Sequence, residues 1–498
     1  MTEKNYLIFD FGASNGRAMV AHFDGKRVTM DVTHRFEHGP IYVTDTIYWD
    51  ILHLFSELIN GLKASLSKYP DVQSLAISTW GCDFGFIDER GKLVSNPVTY
   101  RDKNRHDRSK LLYDILPQRE LFELSAGSTN EIMGIFQLFS FKYENALELR
   151  SGRKMLMIPD LLNHFLTGRA CNEYTNATMT LLCNQYKRNW EEKILNRIGI
   201  SPSILNEIVM PGDRIGEIQT SICDQFGIHP VPVIVPATHD TASAVAGIPV
   251  IDEGKHWAFI SLGTWGIMGM QTDQPIISDQ VFLSDFGNNA IPEGKNMLVK
   301  YITSLWIIQQ CRNRWRSEFG NNLSWDEIVQ ASVQVGPSKT FIDVDNPIFG
   351  LPQADMPKVI QEDCRQRGQK IPNSMGDIAR CFYESLTLKF RYNLELLEEM
   401  SGHPLKLLHI VGGGVQNKML CQWIADAKGI PVIAGPTETT SMGNLIMQLK
   451  ADREVESLKE GREISLRSSK IDQYEPGDKK YWDSAYEKYI RLLSSQEK

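Results

Sequence analysis

Tyr6-Leu-Ile-Phe-Asp10-Phe-Gly12-Ala-Ser-Asn-Gly16-Arg17 sets the reading of the rest of the chain. A short apolar run rich in β-formers ends at an acid, and a glycine-rich turn follows at once. Arg17 to Phe23 then reads as a second strand. Asp24-Gly25 is a hairpin signal, and a third strand runs from Val28 to Phe36. The chain therefore opens as a three-stranded antiparallel meander whose first turn is glycine-rich. Ile51 to Ser67 has helical spacing of apolar residues, and Ser74 to Ser78 reads as a buried strand. Strands alternating with helices predict an α/β layer structure.

The opening pattern returns near the middle. Trp257 to Ser261 is an apolar strand, Gly263-Thr-Trp-Gly266 a turn, and Ile267 to Gln271 a strand again. With 498 residues, too many for one ordinary core, this predicts two similar domains, residues 1–248 and 249–498. The boundary is expected between Ala246 and Lys255, where Gly247-Ile-Pro249 and Asp252-Glu-Gly254 interrupt the pattern. The polar tail, Ser465 to Lys498, is expected to end in a surface helix.

A net charge of −8 and a pI near 5.8 argue against a nucleic-acid partner held by counterion release. No apolar run approaches the roughly 18 residues of a membrane span. Acidic residues interrupt the first apolar stretch, so no secretory leader is expected. The eight cysteines lack zinc-ligand spacing and read as buried, reduced thiols of a cytoplasmic protein. Cys364 and Cys381 could pair, but a reducing cytosol disfavours it. Oligomeric state is not legible.

Walker A, dinucleotide-binding and His-Glu-x-x-His patterns are all absent, so any nucleotide must be held by other means. Three glycine turns offer them. Successive amides over Ala13, Ser14, Asn15, Gly16 and Arg17 would form a concave anion site, and Asp10 beside them could hold Mg²⁺ through water. A plain hairpin is the alternative. Gly263 to Gly266 adds the Thr264 hydroxyl. The third turn, Gly412-Gly413-Gly414, follows the strand Leu408 to Val411 and precedes a helix from Asn417. It would let backbone approach a flat ligand such as adenosine closely.

Thr238-His239-Asp240-Thr241 follows an apolar strand and opens a helix. Asp240 could take the proton of an attacking hydroxyl, or merely cap that helix. Thr79-Trp80-Gly81-Cys82-Asp83 ends another core strand. There Trp80 supplies an apolar face and Asp83 an acceptor suited to a sugar. Tyr100-Arg101-Asp102 and Gln137 add polar groups.

Six ordered motifs together resemble the FGGY carbohydrate kinases over residues 5 to about 450. They are Asp10-x-Gly-Ala-Ser-x-Gly-Arg17, Trp80-Gly-x-Asp83, Ile158-Pro-Asp160 with Leu166-Thr-Gly168, His239-Asp-Thr241, Gly263-Thr-Trp265 and Gly412-Gly-Gly414. Glu173-Tyr-Thr-Asn-Ala-Thr178 and Val432-Ile-Ala-Gly-Pro436 resemble a subgroup of them acting on an L-ketohexose. The resemblance implies an actin-like pair of ribonuclease-H-like domains with a cleft for sugar and ATP. It implies phosphorylation of a C1 hydroxyl, of L-rhamnulose first and L-fuculose second. It also implies Asp240 as proton acceptor; His239, Thr241 and Gly81 as sugar contacts; and Ala13 to Arg17, Thr264, Gln309 and Gly413 as ATP contacts. Tyr301 departs from this pattern, standing where an asparagine is usual, as does the stretch Asp285 to Tyr301. A non-enzymatic ATP-driven binder of the same fold would reuse the glycine turns without needing His239, Asp240 or Trp80.

Overall fold

The computed structural model describes residues 3–250, 256–320 and 322–494. The chain forms two compact units that are not contiguous in sequence: Met1–Ile251 with Gln271–Leu298 and Glu438–Ser469, and Asp252–Met270 with Val299–Thr437 and Lys470–Lys498. Residues 251–255, which hold part of the expected boundary, lie outside the described residues.

The first unit is built on the expected meander. Lys4–Phe11 pairs antiparallel with Asn15–Phe23, and that strand pairs antiparallel with Val28–Glu37. On the other side of Lys4–Phe11, Val72–Thr79 runs parallel to it, and Pro232–Ile234 runs parallel to Val72–Thr79. Side chains alternate across a strand, and both faces of the first strand are covered. Leu7, Phe9 and Phe11 join a core with Leu54, Leu58 and Leu62 of the helix Ile51–Lys68. Tyr6 and Ile8 join Met19, Leu445, Ile446 and Leu449 on the opposite face. That is why the strand reads as a continuous apolar run.

The helix Thr439–Ala451 covers the second face. Its Asn444 donates to Ser78 Oγ (2.8 Å), Ser74 Oγ donates to Gln448 Oε1 (2.7 Å), and Gln448 Nε2 donates to Leu7 O (3.1 Å). These amides stand four residues apart, one helical turn, so both face the sheet. The same helix meets the helix Asp240–Gly247 at two glycines. A Cβ on Gly443 would lie 1.8 Å from Ser243 O, and one on Gly247 would lie 2.2 Å from Thr439 O.

The second unit repeats the pattern. Trp257–Leu262 and Trp265–Thr272 form an antiparallel hairpin. Leu407–Val411 runs parallel to the first of these and to Val432–Ala434. The topological repeat read from the two glycine turns is therefore present. The expected C-terminal helix is Lys480–Ser494, but it is more than a surface helix. Trp482, Ala485 and Tyr489 are buried against Phe341 and Leu388. Their spacing of three and four residues makes one apolar stripe, which the surrounding lysines and glutamates mask in composition. All eight cysteines are buried thiols. Among the described residues, no helix is long and apolar enough to cross a membrane.

Candidate active site

Three chain segments of the first unit leave the sheet side by side. Phe11 is in register with Thr79, and Thr79 bridges in parallel to His239. Thr79 N donates to Thr238 O at 2.8 Å. Asp10 with the Gly12–Gly16 turn, Trp80-Gly81, and His239-Asp240 thus share the carboxyl edge of the sheet, where open α/β sheets bind ligands.

Asp240 is the first residue of its helix, and His239 is the N-cap without a side-chain cap bond. The Asp240 side chain is 35% exposed. Its Oδ1 accepts from Thr241 N (2.6 Å) and Thr241 Oγ1 (3.2 Å). Protein packed around the rest of the carboxyl pushes it up to about 6, and the negative charge of Asp10 adds to the effect. His239 Nε2 lies 3.5 Å from Asp240 Oδ1. Burial pushes the imidazole down to about 4, so it is neutral at physiological pH. Its Nδ1 is buried without a hydrogen-bond partner among the described residues.

Gly81 packs tightly here: a Cβ would lie 2.9 Å from Met179 Cγ and 3.2 Å from His239 Cδ2. Trp80 and Trp49 stand with ring centroids 4.4 Å apart, and His38 stacks on Trp80 at 5.7 Å. Both indoles donate to Asp83 Oδ2, Trp49 at 2.6 Å and Trp80 at 2.9 Å. Arg105 donates to Asp83 Oδ1 at 3.3 Å and to Gln137 Oε1 at 3.4 Å. Asp83 is only 1% exposed. Its acceptor capacity goes to protein donors, so the carboxylate set out as a sugar acceptor holds Trp80 in place from behind. The Arg105 bond fixes the Gln137 amide with its oxygen inward, leaving its N–H groups for a ligand. Asp102 is inward too, capping the helix Lys103–Asp107 and accepting from Ile47 N.

At the first turn, Gly12 N donates to Asn15 O at 2.9 Å. Arg17 pairs with Asp10 Oδ2 (2.8 Å) and with Glu438, and Ser441 Oγ also donates to Asp10 Oδ2 (3.3 Å). Every described contact of the Asp10 carboxylate falls on Oδ2, which leaves Oδ1 for a hydrated cation. No group of three or more metal-ligating side chains exists among the described residues. A Mg²⁺ held through water and substrate phosphates needs only one or two carboxylates, so the donor set fits.

Sequence reading missed three residues of this neighbourhood. His38 donates from Nε2 to Gly12 O at 2.7 Å while stacking on Trp80, tying the turn to the tryptophan wall. Glu438 reaches Arg17 from a segment more than 400 residues away. Arg105 is fully buried.

The second unit contains a pocket of about 640 Å³ lined by Gly263, Thr264, Leu305, Gln309, Gly413 and Gly414, among others. Thr264 Oγ1 and Gln309 Oε1 are 3.5 Å apart. Leu305 N and Trp306 N donate to Gly263 O and Thr264 O, each at 3.2 Å, and so brace the turn. The three glycines differ in their reasons. Gly412 has φ +85°, and a Cβ on Gly414 would lie 2.3 Å from Leu262 Cγ, whereas a Cβ on Gly413 would meet nothing within 4 Å. Among the described residues no protein atom requires glycine at 413, which lines the pocket. Tyr301 is half-buried in the strand Asn296–Thr303.

Acidic and neutral hydroxyl-directed groups at one sheet edge, with a glycine-walled pocket in the second unit, are the equipment of phosphoryl transfer to an alcohol. Residues 5–247 match the N-terminal domain of the FGGY family of carbohydrate kinases, and residues 258–451 match its C-terminal domain. The chain belongs to this family and is a sugar kinase. Among its relatives, the rhamnulokinase of Bacteroides thetaiotaomicron is 33% identical over 97% of this chain and 98% of its own. That of Lactiplantibacillus plantarum is 33% identical over 99% of each. Two solved structures share the fold: gluconate kinase from Lactobacillus acidophilus (TM-score 0.81, 15% identity, 99% and 97% of the two chains) and Plasmodium falciparum glycerol kinase with ADP (TM-score 0.77, 16% identity, 99% and 98%).

Proposed function

We propose that this chain phosphorylates the C1 hydroxyl of L-rhamnulose with ATP, giving L-rhamnulose 1-phosphate. The observation that carries this reading is the half-open Asp240 carboxylate beside a neutral His239 at the carboxyl edge of the sheet, in a chain whose relatives are named rhamnulokinase. Those relatives favour L-rhamnulose over L-fuculose, and Tyr301 does not by itself outweigh them.

Trp80 offers the sugar an apolar face, while His239, Thr241, Gln137 and the backbone at Gly81 meet its hydroxyls. Asp83 and Arg105 hold Trp80 and Gln137 for that task. Asp240 orients the C1 hydroxyl and takes its proton as the bond to phosphorus forms. A positioned base of this kind is worth ~10²–10⁴-fold. The turn from Ala13 to Arg17 meets phosphate oxygens through its amides, and Thr264, Gln309 and Gly413 hold the nucleotide. Asp10 would hold Mg²⁺ through water, and the ion, when bound, offsets charge on the phosphates. On this reading, the first unit carries the sugar and base functions together with the phosphate turn and the metal carboxylate, and the second unit carries the remaining nucleotide contacts. The enzyme works in the cytoplasm, where ATP is available and its thiols stay reduced.

ADP release measured with L-rhamnulose, L-fuculose and L-xylulose tests the assignment. The highest kcat/KM is expected for L-rhamnulose. A clear preference for L-fuculose would reassign the sugar, and release indifferent to every sugar would make the chain an ATP-driven binder.

A further inference from the structure

The segment Glu173-Tyr-Thr-Asn-Ala-Thr178 has no part in the chemistry above, yet it touches the residues that do. Glu173 is completely buried. Its Oε1 accepts from Thr175 N at 2.7 Å. Its Oε2 accepts from Thr175 Oγ1 (2.6 Å), Thr238 Oγ1 (2.7 Å), Thr238 N (3.0 Å) and Asn176 N (3.2 Å). Two of these five bonds come from Thr238, which leads directly into His239 and Asp240. Thr175 Oγ1, having donated to Glu173, accepts from His239 N at 3.4 Å.

The clamp closes from two further directions. Met179, just past the same segment, lies against the site where Gly81 meets the His239 ring. Thr79 N holds Thr238 O from the neighbouring strand. Backbone and side chain of Thr238 are thus both tied, as is the backbone N–H of His239. A charged acceptor makes shorter and stronger hydrogen bonds than a neutral one. Among the described residues no cation pairs with it, and burying a carboxylate in that way is unfavourable for stability, so it serves geometry better than it serves the core.

We propose that Glu173 is a positioning residue for phosphoryl transfer: through Thr238 and Thr175 it fixes the backbone of Thr238-His239, and with it the direction of the Asp240 carboxylate. The inference rests on Asp240 being the proton acceptor.

The test uses the full chain with Glu173→Gln and Thr238→Val, each made in the native and the Asp240→Asn backgrounds. Glutamine keeps the volume and can place its oxygen at the Oε2 position, losing the bond from Thr175 N. Valine removes the Thr238 hydroxyl donor and keeps its branched shape. In the native background kcat is expected to fall ~10–100-fold, with KM for ATP and sugar within about two-fold, since small misplacements of a reacting group are costly. In the Asp240→Asn background the further loss should shrink below about two-fold, because the residue acts through Asp240. Thr238→Val carries the same comparison if Glu173→Gln does not fold. Folded variants with native kcat, or a loss undiminished in the Asp240→Asn background, overturn the positioning role while leaving Asp240 in place. Normal turnover by Asp240→Asn alone would instead remove the premise.

Discussion

As the proposed base, Asp240 would need its negative charge to accept a proton, and the protein packed around it works against that charge. With the carboxyl raised to about 6, turnover should fall as pH drops through about 6, read as the acid limb of a kcat/KM profile. Stability takes the opposite sign. Between its ordinary value of 3.8 and about 6, the folded chain holds a proton that the unfolded chain has lost, so stability declines as pH rises through that window and stays lower above it. Asp240→Asn should therefore lose turnover ~10²–10⁴-fold and yet melt slightly higher at pH 7.5. The gain is about 1 kcal/mol, once solvent at the open tip is allowed for. Gly413 and Gly414 make a second contrast. Gly414→Ala should lower the melting temperature because of Leu262. Gly413→Ala should melt normally, since its Cβ would meet nothing within 4 Å, and raise KM for ATP several-fold if the pocket that Gly413 lines takes the nucleotide as proposed.

Much of this scale was legible. Asp10, the Gly12–Gly16 turn, Trp80-Gly81 and His239-Asp240 each follow an apolar strand, and strand ends are where such sheets bind. Arg105 was not. Arg101, Arg105 and Arg108 look alike in sequence, and only the folded chain shows that Arg105 alone is wholly buried. His38 sits in an irregular stretch with no period, so nothing announced its stacking on Trp80.

At the scale of elements, the helix Asp240–Gly247, which opens on the proposed base, is placed by a crossing with almost no side-chain volume in it. Gly443→Ala would drive a Cβ to 1.8 Å from Ser243 O. Overpacking of this kind typically costs about 1–3 kcal/mol, so a lower melting temperature is expected. Because the displaced helix starts at Asp240, kcat should also fall in protein that remains folded. A variant with native melting and native kcat would show that the crossing is looser than described. The limits of the three opening strands and of the helix Ile51–Lys68 were readable to within a few residues, since apolar runs and periodicity mark them. The helix Thr439–Ala451 was not read from the sequence. Nor was crossing geometry: a glycine inside a helix reads as a weakness until the partner that needs its space is known.

For the whole molecule, sequence order and spatial order part company. The first unit takes in Gln271–Leu298 and Glu438–Ser469 besides its N-terminal stretch. Nothing local to Thr439–Ala451 tells which sheet it will cover, because its amides and apolar residues would suit any sheet with matching partners. A fragment of residues 1–248 lacks that helix and would expose Tyr6, Ile8 and Met19. It should elute as aggregate on size-exclusion chromatography, and the full chain as a discrete species. A soluble, cooperatively melting fragment would show that the helix is dispensable.

The late arrival of Thr439–Ala451 also sets an order of events during synthesis. The opening strands leave the ribosome early, but one face of their sheet stays bare until residue 451 has been made. Translation that stops short therefore yields chains with the carboxylate at position 240 already present and no finished scaffold to aim it.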